Sequence, residues 1–181
     1  VWFERVGNSD MGSLWHIYSK VIFQNPFAAG KLMGLAAMGN DSLIPEFKKY
    51  AMRPVRGCLS PTYSIKNCWP DEDMPLYGTA NSWKHNDAAN IAYAIQNLTI
   101  EAGVGLANKA FEITNSNNLC ISGGCALNGY LNTEIIKQTN FKDVVVPPSV
   151  HDGGLSIGAV MFTINNILDL FWSIRFWEIL L

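Results

Sequence analysis

Apolar residues recur at helical spacing along much of the chain. Leu14, Ile17, Tyr18 and Val21 follow the i, i+3, i+4, i+7 pattern of one helix face. Leu32, Met33, Leu35 and Ala36 begin a second face, and Gly39-Asn40 supplies the chemistry of a helix end. Between Met52 and Trp83 the pattern breaks. Pro54, Pro61, Pro70 and Pro75, with Gly57 and Gly78, forbid a long helix, so an irregular excursion with short edge strands is expected. From Asp87, a residue able to cap a helix, Ala88, Ile91, Ala92, Ile95, Leu98, Ala102, Leu106 and Ala110 keep helical spacing. Gly103 and Gly105 weaken that helix by roughly 1 kcal/mol each, so tertiary packing must hold it.

The last third alternates in type. Leu119-Cys120-Ile121 is a short apolar strand, Gly123-Gly124 a turn, and Ala126 to Lys137 a helix. Val144-Val145-Val146 is a second strand, stopped by Pro147-Pro148, and another helix runs from Gly153. Short apolar strands alternating with helices predict an α/β fold with a largely parallel sheet. The chain divides into a helical segment over residues 1–50, a Pro-rich insertion over 51–86, an α/β half-domain over 87–168 and an aromatic tail over 169–181.

Composition narrows the class. Hydrophobic residues are 49% and charged residues 15% of the 181, which excludes an intrinsically disordered chain. Thirteen basic against fifteen acidic residues leave a net charge of -2, no broad footprint for nucleic acid. The four cysteines form no C-x-x-C pair and are too few for a disulfide scaffold. The uncharged run from Gly153 to Leu168 falls short of the ~20 residues that span a bilayer and carries Asn165 and Asn166, so a buried helix is expected and no membrane. The chain opens on Val1 without a secretory pattern, and it is expected to be a fragment of a larger cytoplasmic protein. Asn40-Asp41-Ser42 and Asn97-Leu98-Thr99 then match the glycosylation sequon by chance.

Two loops carry candidate chemistry. In Cys120-Ile121-Ser122-Gly123-Gly124-Cys125-Ala126-Leu127-Asn128, a strand runs into two glycines and then a helix. Glycine lets backbone approach a ligand closely, and a helix N-terminus favours a phosphate or polar group there. A plain tight turn explains the same residues. The segment is neither a Walker A loop nor a dinucleotide fingerprint. In Pro147-Pro148-Ser149-Val150-His151-Asp152-Gly153-Gly154, Asp152 sits between a strand and a helix, at the sheet edge where open α/β folds place ligands. It is a helix cap or a metal ligand. His151 is a weaker second candidate, because consecutive side chains diverge.

Four blocks, in order, carry a resemblance: Ser13-Leu14 with Ile17-Tyr18-Ser19, Gly30-Lys31-Leu32-Met33-Gly34-Leu35-Ala36-Ala37-Met38-Gly39, Ser122 to Asn128, and Pro147-Pro148 through Asp152-Gly153-Gly154. The chain resembles the nodulation-protein-U type O-carbamoyltransferases, whose amino-terminal domain is similar to the tRNA threonylcarbamoyl-transferase family. The resemblance implies the second half of an actin, sugar-kinase and heat-shock-ATPase type domain. It implies ATP and carbamoyl phosphate as substrates, a carbamoyl-adenylate intermediate, and transfer to a hydroxyl of a small-molecule acceptor. By position it places Gly123, Gly124 and Asn128 at the nucleotide, Lys31 along the cleft, and Asp152 as ligand of a divalent metal, usually iron.

The match has departures. The family's two metal-binding histidines, four residues apart, have no counterpart: His16 is followed at that spacing by Lys20, and His85 by Ala89. His16 is expected on a helix surface and His85 in a loop. Cys125 stands where a small aliphatic residue is usual, without a His or Asp spaced to activate it. Residues 169–181 have no match in the family. A kinase-like phosphotransferase of the same fold, or an inactive truncated nucleotide-binding module associating through exposed apolar surface, are the alternatives.

Overall fold

The computed structural model of the chain describes residues 11–55, 58–61 and 85–166. They form α1 (Met11–Phe23), α2 (Ala29–Ala36), α3 (Ile44–Ala51), β1 (Met52–Val55), β2 (Cys58–Pro61), α4 (His85–Thr114), β3 (Asn118–Cys120), α5 (Gly129–Gln138), β4 (Asp143–Val145) and α6 (Gly154–Asn166). The result is a helix-rich α/β arrangement with a small parallel sheet, β3 beside β4, in the register Leu119↔Val144. β1 and β2 form a separate antiparallel pair. Each is an edge strand, a setting that tolerates Pro54 and Pro61.

The 30-residue α4 organises the rest. In its first half Ile91, Ala92, Ala94, Ile95 and Leu98 are fully buried against Leu14, Trp15, Tyr18, Leu32 and Phe47 from α1, α2 and α3. Past Ala102 the buried side changes. Val104 and Ala107 pack with Leu131, Ile135 and Phe141 into a second cluster, to which Leu119 and Val144 of the sheet add. At 3.6 residues per turn, Val104 and Ala107 lie roughly 180° around the helix from Ile91 and Leu98. The helix serves two cores from opposite sides.

The sequence patterns hold for most of these faces, with instructive exceptions. The helix expected to be buried from Gly153 is instead largely exposed as α6, with Leu155, Val160 and Phe162 in solvent among the described residues. Leu106 is exposed, since the stripe that buries Leu98 and Ala102 has turned to solvent by that point. On α1, Trp15 and Ser19 are buried beside Leu14 and Tyr18, while Ile17 and Val21 are only half-buried. Trp15 is carried inward by a partner that no local pattern reveals: its indole Nε1 donates to Thr99 Oγ1 at 3.0 Å, and that hydroxyl donates to Ile95 O at 2.8 Å. α4 begins at His85, so Asp87 lies inside its first turn and His85 is helical rather than in a loop. Apolar periodicity marks a buried face and is silent on the polar turn before it.

Two glycines owe their presence to close approach. Gly103 faces the Leu131 side chain of α5, the packing that offsets its weak helix propensity. Gly39 does more than end α2, because a Cβ there would meet the Ala89 carbonyl oxygen of α4. The backbone carries on from this contact: Asn40 N–H donates to Asn90 Oδ1 at 3.0 Å, and Asn40 Oδ1 accepts from Ser42 N–H at 3.0 Å. Gly39→Ala should therefore cost about 1–3 kcal/mol of stability. Gly34→Ala, where a Cβ meets open space inside α2, should be neutral or stabilise by up to about 1 kcal/mol. Paired thermal or urea melts check this; equal midpoints would refute the close contact.

Candidate functional site

The parallel strands end side by side, and the loops that follow them build the site. Beyond β3, Ile121 N–H donates to Val145 O at 2.9 Å and Gly123 N–H to Val150 O at 2.9 Å, so the glycine turn is stitched to the loop after β4. Gly123 has φ +101°, a conformation that L side chains rarely adopt, and glycine is needed there for the backbone itself. At Gly124 a Cβ would meet nothing within 4 Å, so no packing explains glycine at that position.

The turn does not run straight into a helix. A 3₁₀ turn covers Gly124–Leu127, and α5 starts only at Gly129. Asn128 sets that start: its Oδ1 accepts from Leu131 N–H at 3.2 Å as the cap. The expected helix from Ala126, with its N-terminus open toward a phosphate, is therefore not what forms. Asn128 is also buried, and it pairs reciprocally with Gln96 of α4, Nδ2 donating to Gln96 Oε1 at 3.1 Å and Oδ1 accepting from Gln96 Nε2 at 3.2 Å. Its amide oxygen is thus already engaged twice, which leaves its side chain positioning the turn rather than reaching for a ligand. Gln96, 32 residues away, was invisible to motif reading.

A cavity opens on each side of the turn. One, about 510 Å³, lies between α1, α2 and the 3₁₀ turn, with Trp15, His16, Phe27, Gly30, Gly124 and Asn128 in its lining. The other, about 940 Å³, lies between the loops and α6, with Ser122, Gly123, Pro148, His151, Asp152 and Gly154 among its lining residues. Gly123 and Gly124 thus face different spaces across one backbone saddle. Lys31 is exposed on α2 and lines neither cavity, although its neighbour Gly30 does. His16 is exposed on α1 as its spacing suggests, yet it also stands at the wall of the smaller cavity.

At the acidic loop the structure separates the two roles open to Asp152. The side-chain acceptor at the entry to α6 is His151, whose Nδ1 takes the Gly153 N–H at 3.0 Å. Asp152 contributes its backbone carbonyl, accepting from Leu155 N–H at 3.1 Å, and its side chain is exposed. A Cβ at Gly154 would meet the Ser149 carbonyl oxygen, so that tight corner requires glycine. Among the described residues no group of three His, Cys, Asp or Glu side chains is placed to hold a metal ion. The residues present do not by themselves fit the iron that the resemblance implies; Asp152 offers one carboxylate. In a third groove, which includes Tyr130 and Glu134 in its lining, Lys137 and Gln138 donate to Glu134 and hold its carboxyl below the usual carboxylate range.

A glycine turn follows the carboxyl end of β3 and a loop carrying Asp152 follows that of β4, the edge of a small parallel sheet at which α/β folds commonly set their ligand loops. Residues 6–161 match the carbamoyltransferase N-terminus family, and the chain belongs to it. The chain is similar to nodulation protein U of Azorhizobium caulinodans, 33% identical over 99 residues, covering 52% of this chain and 17% of that protein. It is similar to an uncharacterized protein of Synechocystis sp., 35% identical over 80 residues, covering 44% of this chain and 13% of that one. Nodulation protein U of Bradyrhizobium diazoefficiens is 38% identical over 66 residues, covering 35% of this chain and 12% of that protein. The matched stretches thus span less than a fifth of each of these relatives.

With its carboxylate outside the cap, Asp152→Ala should leave stability within about 0.5 kcal/mol, as for an ordinary surface change. A lost N-cap would instead cost about 1 kcal/mol. Thermal unfolding of the two proteins separates these outcomes, and a drop of the larger size would return Asp152 to a capping role.

Proposed function

We propose that this chain is part of an ATP-dependent carbamoyltransferase and supplies the nucleotide-binding half of its transferase domain. The observation that carries the reading is the Gly123-Gly124 saddle, whose backbone borders a cavity on each side with no Cβ in the way. An elongated ligand with an apolar end and a polar end suits such a crossing. Membership in the carbamoyltransferase N-terminus family supplies the reaction class. In this reading carbamoyl phosphate and ATP give a carbamoyl-adenylate, and the carbamoyl group passes to a hydroxyl of a small acceptor. The fold is read as the second half of an actin and sugar-kinase type domain, acting in the cytoplasm. Among the described residues no helix is long and apolar enough to cross a membrane.

The residues of this chain then divide the work. Gly123 and Gly124 admit the nucleotide, while Asn128 and Gln96 fix the turn against α4. Asp152 would supply a single carboxylate toward a divalent ion, with further donors from outside the described residues. Taken alone the chain is proposed to bind nucleotide without turning over, because the relatives it matches are several times longer.

Calorimetric titration of the chain with ATP tests the reading. Gly124→Val places a branched side chain where free protein has only open space, so the fold should survive while ATP affinity falls at least tenfold, about 1.4 kcal/mol. Unchanged affinity in the folded variant would remove the nucleotide from the turn.

A further inference from the structure

Helix α6 is the least covered helix of the fold. Among its described side chains Gly154, Met161 and Ile164 are half-buried, and their spacing of seven and three puts them on one side. On the opposite side Leu155, Gly158, Ala159 and Phe162 follow i, i+3, i+4, i+7, and all four are exposed. Leu155 is 77% and Phe162 64% exposed. Among the described residues no other helix or strand packs along α6. The four residues also line the larger cavity, about 940 Å³, which has room for the side chains of a second helix. Scattered apolar exposure is ordinary, whereas a contiguous apolar face marks a contact surface.

The chemistry of the face narrows what covers it. α6 carries no Asp, Glu, Lys or Arg. Its two hydroxyls are already engaged, Ser156 Oγ donating to Gly153 O at 3.0 Å and Thr163 Oγ1 to Ala159 O at 2.9 Å. Neither needs a polar partner from outside. A helix that lies on a membrane sets a basic face against an apolar one, and α6 has no basic residue. Its 13 residues, about 20 Å of helix, are also too short to span a bilayer.

The order of the residues suits a partner of the same sequence. Turning the helix end for end about the point between Gly158 and Ala159 sets Leu155 opposite Phe162 and Gly158 opposite Ala159. Bulk then meets bulk at the ends, and the two backbones come closest in the middle, where neither copy has a large side chain. A Cβ at Gly158 would meet nothing within 4 Å among the described residues, so the approach is open there. A two-fold interface requires such self-complementarity, because every contact in it is made twice. Antiparallel pairing also sets the helix dipoles head to tail, and it keeps the two Asp152 carboxylates, just before each helix, at opposite ends.

We propose that α6 joins two copies of this chain as an antiparallel helix pair, with the two-fold axis at Gly158 and Ala159. A contact about 20 Å long falls short of a standard-size interface, so the dimer is weak and concentration-dependent. The pairing does not depend on a nucleotide at the glycine turn.

Sedimentation velocity of the full chain over a wide dilution series tests it. A monomer–dimer equilibrium is expected. Leu155→Asp and Phe162→Asp, which place carboxylates in the contact, should each weaken the dimer at least tenfold, whereas Phe162→Leu should keep it. Met38→Asp, at a 70% exposed position just after α2, should leave it unchanged. Because Leu155 and Phe162 are exposed, the melting temperature of the dilute protein should hold in their variants. Mild oxidation should join Ala159→Cys to its own copy through a disulfide at the axis. Maleimide labelling of that variant, followed at position 159 by mass spectrometry, should be fast when dilute and slow when concentrated. Slow labelling at every dilution puts another part of the same chain on the face, and a monomer at every concentration leaves the face without a second copy; either overturns the proposal. So does a dimer that survives Phe162→Asp, or an assembly that grows beyond two. Binding to phosphatidylcholine vesicles that Phe162→Asp abolishes would assign the face to lipid instead.

Discussion

The packing of α4 is the constraint from which the rest follows. A helix buried along one side can be placed by a single partner layer, but α4 is buried on one side early and on the other side late. Its rotation about its own axis is therefore fixed twice. That double fixing lets a residue such as Gln96, between the two buried faces, hold a loop in place with a reciprocal amide pair. A buried amide pair is worth having only when both partners arrive in register, because a half-satisfied one costs more than none. The glycine turn is positioned through Asn128 by that register.

The site follows the general geometry of open α/β sheets, with ligand-facing loops at the carboxyl ends of the strands. What is particular is how little of the turn is free. The Gly123 N–H is spent on Val150, and α5 is capped by Asn128. At Gly30, Gly123 and Gly124 a Cβ would meet open space, so the missing side chains widen the cavities here.

Much of this was legible in the chain. The helices of residues 11–36, the long helix after residue 85, and the strand, turn, strand order near the end follow from period and from glycine and proline placement. The four sequence blocks sufficed to point to the family. Part of what local reading missed is local capping, at Asn128 and His151, and the rest comes from contacts between residues far apart. Trp15 lies outside the apolar spacing read for α1, and its burial depends on Thr99, 84 residues on. Leu106 fits the helical stripe until the second core claims the opposite side of α4. Asn128 matches a ligand-contact motif, and only the position of Gln96 reveals that its amide oxygen is occupied. His16 and Phe27 carry no motif, and they come to line one cavity only when α1 and the loop after it fold beside the turn.

The separation between Trp15 and Thr99 also bears on how the chain is made. Helices α1, α2 and α3 emerge from the ribosome with their apolar faces complete, but the surface that covers them lies on α4. At roughly 5–20 residues per second, the stretch between them takes several seconds to synthesise. Through that interval Leu14, Trp15, Leu32 and Phe47 have no native partner on α4 to pack against. The nascent chain therefore passes through a window in which its first core is half-built and open to chaperones or to other nascent chains.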